Sequence, residues 1–221
     1  MHAKSVCLTA AVLFLACTRA GLDISGTTTE TNTSTSAALQ GYISRSDGTP
    51  VFNADVILHD QQQDTVTTPG NSQASIHSAR TKSNSNGFFR FDSLAIGDYV
   101  IESNDHDTLG FLLGASVKPG DTLIEADGIV EPLGSIEGSV DTADFLHPGN
   151  VTIRLPQIER VVRANNAGSF VLDKLPAWNY VLRGSVDDTL ISLVTDTIPI
   201  PVTPGTVTHV NIRSKKGKIL N

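Results

Sequence analysis

The chain has 221 residues, 39% apolar and 18% charged, a balance that excludes a wholly disordered polymer. Only 5% of residues are aromatic, so any core is built from Val, Leu, Ile and a few Phe. The net charge of −7 argues against a nucleic-acid binder, which needs a basic face, and two Cys make neither a disulfide-rich scaffold nor a four-Cys zinc site.

The first segment, residues 1–16, has the form of a lipoprotein signal peptide. Lys4 supplies a positive start, and Val6 to Leu15 form an apolar run too short to span a membrane. Phe14-Leu15-Ala16-Cys17 resembles a bacterial lipobox, with Phe14 where Leu is usual. The resemblance implies cleavage before Cys17, lipidation of its sulfur, and a membrane anchor made of acyl chains. Thr18 in place of Asp after the Cys implies the outer membrane by bacterial sorting rules. The other reading is a secreted protein cleaved elsewhere, for which Thr18-Arg19-Ala20 is a poor site. Residues 17–37 follow as a tether, rich in Thr and Ser, with little to bury.

The remainder repeats itself. Gly87-Phe88-Phe89-Arg90-Phe91-Asp92-Ser93-Leu94 lies over Gly168-Ser169-Phe170-Val171-Leu172-Asp173-Lys174-Leu175, and Tyr99-Val100-Ile101 over Tyr180-Val181-Leu182. Asp107-Thr108-Leu109 lies over Asp188-Thr189-Leu190. Val151, Ile153 and Leu155 alternate with Thr152 and Arg154, the period of a strand with one buried face. Asn86-Gly87 and Ala167-Gly168 each separate two such runs and predict hairpin turns. Turn signals about every ten residues predict a β-sandwich per copy, over 38–131 and 132–213. The short link Glu131-Pro132-Leu133-Gly134 predicts a fixed two-domain rod, followed by a basic tail over 214–221.

At this point the residues resemble a family. An opening strand with Gly41 or Gly138, the run Ser46-Asp47-Gly48-Thr49-Pro50, the pair Asn53-Ala54, the run Asn86 to Leu94 and Gly97-Asp98-Tyr99 are similar to the carboxypeptidase regulatory-like domain. The second copy lacks the Asp-Gly-Thr-Pro run and has Trp178 where the first has Gly97. The resemblance implies an all-β fold of two tandem seven-stranded transthyretin-like/Ig-like β-sandwiches. With lipobox and tether, it implies a lipoprotein of a kind some bacteria encode in many versions. It transfers no reaction, because the chain contains no peptidase domain.

No metalloprotease, nucleophile-elbow or P-loop motif is present. His77 with Ser75 and Ser78 offers a nucleophile and a base only by proximity, so the chain is expected to be non-enzymatic and free of cofactors. Asp105 and Asp107, with Asp187 and Asp188 at the matching place, are weak Ca²⁺ candidates against the simpler reading of solvated turns. Trp178, Phe88 and Phe145 are the aromatics that could stack on a sugar or meet a partner. The polar stretch Gln61 to Ser78, present only in the first copy, is either a spacer or a recognition loop. The first strands, Leu39 to Ser44 and Ser135 to Val140, carry no Lys, so no internal isopeptide bond is expected. The expected protein is a cell-envelope interaction module with an unknown protein or glycan partner, held to a membrane through Cys17. A carbohydrate-binding module is the alternative, and an accessory subunit of a transport or secretion complex a third reading.

Overall fold

The computed structural model describes residues 36–61, 78–141, 145, 147–186, 189–191, 193–195 and 199–214. Cys17, the signal segment and nearly all of the tether lie outside the described residues, as do residues 62–77 of the Gln61–Ser78 stretch and the tail beyond residue 214.

The described chain is β throughout, apart from a short 3-10 turn at Pro148–Asn150. The N-terminal half contains β1 (Ala37–Ser44), β2 (Asp55–Asp60), β3 (Ser78–Lys82), β4 (Phe88–Leu94), β5 (Gly97–Asp105), β6 (Leu109–Val117), β7 (Leu123–Glu125), β8 (Gly128–Ile129) and β9 (Glu131–Pro132). One sheet runs β4-β1-β7, with β8 also on β1, and the facing sheet runs β3-β2-β5-β6-β9. The C-terminal half contains β10 (Gly134–Val140), β11 (Val151–Leu155), β12 (Arg160–Arg163), β13 (Ser169–Leu175), β14 (Trp178–Tyr180), β15 (Arg183–Val186), β16 (Thr189–Ile191), β17 (Leu193–Thr195), β18 (Ile200–Val202) and β19 (Val207–Ser214). Its sheets run β13-β10-β19-β17 and β12-β11-β15-β16, with β14 paired to β18. The architecture is that of Ig-like β-sandwiches.

Period-two alternation sorts the side chains. Phe89 and Phe91 point inward from β4 while Arg90 and Asp92 point out, and β13 repeats this with Phe170 and Leu172 inside. One core gathers Leu39, Ile43, Val56, Leu58, Phe89 and Ile101; the other gathers Ile136, Ile153, Leu155, Phe170, Leu175 and Tyr180. Each such burial contributes about 1.5–3 kcal/mol, enough for sandwiches without disulfides.

Two details explain the opening-strand glycines. A Cβ on Gly138 would lie 2.1 Å from Cζ of Phe170, and one on Gly41 would lie 2.1 Å from the carbonyl oxygen of Ala126. A neighbour crosses the strand at each place, and only glycine leaves it room.

The turns at Asn86-Gly87 and Ala167-Gly168 are not hairpins. β3 pairs with β2 and β4 with β1, so the first of these turns carries the chain from one sheet to the other. The second does the same between β12 and β13. The device is built twice. Asn84 Oδ1 accepts from the N–H groups of Asn86 and Phe88, and Asn165 Oδ1 accepts from those of Ala167 and Ser169. Gly87 and Gly168 take the left-handed backbone, at φ 76° and 84°. A sequence pattern of turn residues between two apolar runs does not distinguish a hairpin from an arch, because both need the same local chemistry.

The chain after Gly120 forms two short strands on β1, β7 and β8. Between them the Asp127 carboxylate accepts the Tyr42 N–H at 2.8 Å. The link between the halves is itself strand β9, paired to β6 through Leu109–Pro132 and Gly110–Glu131. Leu133 N–H donates to Thr108 O, and Gly205 N–H donates to Pro132 O, both at 3.0 Å, so the link is tied on both sides.

β5 is buried almost continuously, whereas β4 and β13 alternate. Tyr99 and Ile101 face the first core, while Val100, with Leu112 of β6, packs into the second. The C-terminal half therefore covers the back of the β5–β6 hairpin, and a strand buried on both faces loses its alternation.

Candidate functional site

The outer face of β4-β1 carries one exposed aromatic pair. Tyr42 and Phe88 are register partners, and their rings lie 5.4 Å apart at 59°. Tyr42 is 53% exposed and Phe88 is half-buried. Beside them Arg90 donates to Gln40 Oε1 and to Asp92 Oδ1, each at 2.8 Å. Ile129 sits next to Ser44 at the end of the same strand and is exposed. The patch combines apolar ring surface with fixed planar polar groups, the mixture that a sugar or a protein side chain can meet. The matching face of the C-terminal half has Ser139 opposite Ser169 and Glu137 opposite Val171. There Glu137, Ser139, Val171, His209 and Asn211 line a shallow depression, with His209 Nδ1 3.8 Å from Glu137 Oε2.

The residues singled out from the sequence are dispersed. Phe88 is on this outer face. Trp178 is half-buried, packs against the second core, and reaches toward Gly114 of the N-terminal half. Phe145 is not a surface aromatic: only 2% of it is exposed, because it belongs to the second core. Asp105 is buried and bound by Arg45 at 2.6 Å, with His106 Nδ1 on its other oxygen. Asp107 is exposed and bound by Lys174 at 2.7 Å. Its hydrogen bond from Lys174, and that cation's charge, hold its carboxyl below the usual range. Both carboxylates are thus neutralised by protein cations, which removes the charge excess that a Ca²⁺ site needs. His106 and Asp107 take left-handed backbone, at φ 53° and 59°, so the Asp-His-Asp run is a tight turn between β5 and β6. Asp187 and Asp188, like Cys17, lie outside the described residues.

Sequence reasoning missed Tyr42 and also a charged cluster at the junction of the halves. Glu102 and His59 are 2% and 3% exposed. Glu102 accepts from His59 Nε2 at 2.9 Å and from Arg160 Nη2 at 2.8 Å. Burial alone would push the Glu102 carboxyl up; the hydrogen bonds from His59 and Arg160 overcome this and leave it below the usual range. Gln61 donates to the carbonyl of Gln157 at 3.2 Å, and the Lys174–Asp107 pair also crosses between the halves. Burial pushes the nearby Tyr180 hydroxyl up, the charge of Glu102 adds to this, and the hydroxyl donates to Pro176 O. The available signal was Glu102 itself, a lone charge inside Tyr99-Val100-Ile101-Glu102-Ser103.

No protein-family model matches the chain, and no curated protein matches it. Among solved structures, the Bacillus anthracis TIE protein is 16% identical with a TM-score of 0.33, over 81% of this chain and 34% of its own. A streptococcal ancillary pilin is 14% identical with a TM-score of 0.34, over 82% of this chain and 63% of its own. The minor pilin GBS52 of Streptococcus agalactiae is 16% identical with a TM-score of 0.35, over 84% of this chain and 97% of its own. This chain therefore spans only part of the length of the first two. The likeness is one of β-sandwich architecture and carries no function.

Proposed function

We propose that the protein is a non-enzymatic module of the bacterial cell envelope, anchored through lipid on Cys17 and displaying two regulatory-like β-sandwiches on its Thr/Ser tether. The observation that carries this reading is the order Phe14-Leu15-Ala16-Cys17, tether, duplicated β-unit. The side-chain chemistry agrees. Asp105, Asp107 and Glu102 are each held by a protein cation, Arg45, Lys174 and Arg160 in turn. The outer membrane is the proposed address, and the exposed sheet faces are the proposed contact surfaces. Membrane fractionation and intact mass of wild type and Cys17→Ser test it. A lipid-sized mass addition at Cys17, with release of the mutant to the soluble fraction, is the expected result. A soluble wild type with a free thiol would falsify the anchor.

A second reading is favoured by the Tyr42–Phe88 pair: a carbohydrate-binding surface. Pull-down on insoluble polysaccharide, comparing Tyr42→Ala with Trp178→Ala, separates the two readings. Glycan binding predicts loss in the first variant and retention in the second, since Trp178 is committed to the junction.

A further inference from the structure

The turn between β11 and β12 meets the back of β2 and β5, and four charged or ionisable side chains converge there. His59 comes from β2, Glu102 from β5, Glu159 from the turn and Arg160 from β12. Tyr180 of β14 also feels the Glu102 charge, with its hydroxyl committed to Pro176, and the Asp107–Lys174 pair lies within reach of Arg160. Because the Glu102 carboxylate only accepts, His59 Nε2 must carry the hydrogen of that 2.9 Å bond. Nδ1 is then a bare nitrogen, buried and without a hydrogen-bond partner among the described residues. The side chain of His59 is 4% exposed. Glu159 Oε2 lies 3.8 Å from Nδ1, acceptor facing acceptor while the ring is neutral.

Two further observations give this distance meaning. Glu159 sits at φ 57°, a left-handed backbone that non-glycine residues rarely adopt, so the turn holds this carboxylate against its local preference. Charge balance points the same way. Two carboxylates face one guanidinium, so a neutral His59 leaves the cluster with one uncompensated negative charge, and a protonated His59 balances it. Glu102 is paired with Arg160, so the uncompensated charge is that of the partly exposed Glu159, and a cation on His59 would offset it. Arg160 opposes a second positive charge on His59, and Glu159 is the group placed to offset it.

We propose that His59 is a proton-operated latch between the two halves. With His59 neutral, the Glu102–Arg160 pair is the ionic link that this cluster makes across the junction. Proton uptake puts an N–H on Nδ1 facing Glu159, and a small rotation of the Glu159 side chain, 26% exposed, closes a second link across the junction. The added hold is present while Nδ1 carries its proton and absent when it does not. A surface module with this latch is stiffer in mildly acidic surroundings.

The test uses the full chain. Ring ¹⁵N shifts of His59 from pH 8 to pH 5 read Nδ1 directly in the wild type, with no substitution needed. The proposal expects Nδ1 to gain a proton in this range; a bare Nδ1 down to pH 5 overturns it. Thermal unfolding of wild type and Glu159→Gln then reads the coupling. Wild type should exceed the variant by about 2–4 °C at pH 5.5, with the gap closing by pH 8. An equal gap at both pH values overturns the latch. Glu137→Gln is the internal control. It breaks a histidine–carboxylate pair at the same 3.8 Å, but with side chains 76% and 49% exposed, and it should leave the wild-type pH profile unchanged.

Discussion

The two halves share their turns and differ in their long strands. Both have a glycine where another residue crosses the first strand, an asparagine that caps the arch between sheets, and a tyrosine hydroxyl donating four residues back, Tyr99 to Ala95 and Tyr180 to Pro176. Both also break register near the start of the first strand, at Ala37/Leu39 and at Gly134/Ile136. In the N-terminal half, β5 runs unbroken for nine residues and pairs along its length with β6. In the C-terminal half, the matching segment divides into β14, which pairs with β18, and β15, which pairs with β11 and β16. The continuous hairpin is the one covered on its back by the other half. Duplication has kept what closes each sandwich, while the parts that meet a neighbour or solvent have diverged.

The strongest way to break this symmetry is to empty one core at a time. Phe89 and Phe170 are 1% and 3% exposed, and replacing either by Ala should cost about 3–5 kcal/mol. Calorimetry of the two variants tells whether the halves unfold together. The shared packing of Val100 and Leu112 into the second core predicts that Phe170→Ala lowers one joint transition. A split into two transitions, with the N-terminal half unmoved, would show that the junction does not couple them.

Next in size is the junction. Arg160→Met leaves Glu102 buried with His59 alone; because the Arg160 side chain is 37% exposed, the expected cost is that of one charged hydrogen bond to a buried acceptor, about 1–3 kcal/mol. Acid should mimic part of this loss. The folded-state pKa of Glu102 is depressed, so its contribution is complete above the ordinary glutamate range and disappears as pH falls through the folded value. Unfolding followed by denaturant from pH 6 down to pH 3 should show stability falling less steeply in Arg160→Met than in wild type.

The legible part of this molecule was whatever repeats within one copy. Alternation gave the inward Phe89, Phe91, Phe170 and Leu172, while Gly41 and Gly138 stood out only as a shared feature of the opening strands, and the neighbours they admit came from the structure. What depended on one half touching the other was not legible. Phe145 looked like a surface ring because its neighbourhood is polar in sequence, and only tertiary packing puts it inside. Glu102 and His59 look like outward positions on alternating strands until the C-terminal half covers them. Tyr42 was hidden for the opposite reason: a lone aromatic at an alternating position looks like core, and its partner Phe88 is distant in sequence.

A smaller effect separates the capping turns from the cores. Asn84→Ala and Asn165→Ala each remove an acceptor for two backbone N–H groups at a surface turn. Each should cost about 1–2 kcal/mol by chemical denaturation, and the two values should agree. Unequal costs would mean that the arches, alike in geometry, carry different loads.

The smallest expected change in stability tests the largest difference in surface. Tyr42 and Phe88 stand where the C-terminal half has Ser139 and Ser169. The Tyr42 ring is more than half exposed, so Tyr42→Ser should move stability by no more than about 0.5 kcal/mol. If the outer face of the N-terminal half is a contact surface, the same change removes ring area that Phe88 alone cannot supply. Retention on the partner or polysaccharide should then fall while the unfolding midpoint stays put. The converse variant, Ser139→Tyr with Ser169→Phe, rebuilds the pair on the other half, where Glu137 and Val171 stand in place of Gln40 and Arg90. Gain of binding there would assign recognition to the rings themselves. No gain, with loss in Tyr42→Ser, would assign it to the rings together with the Gln40–Arg90–Asp92 array beside them.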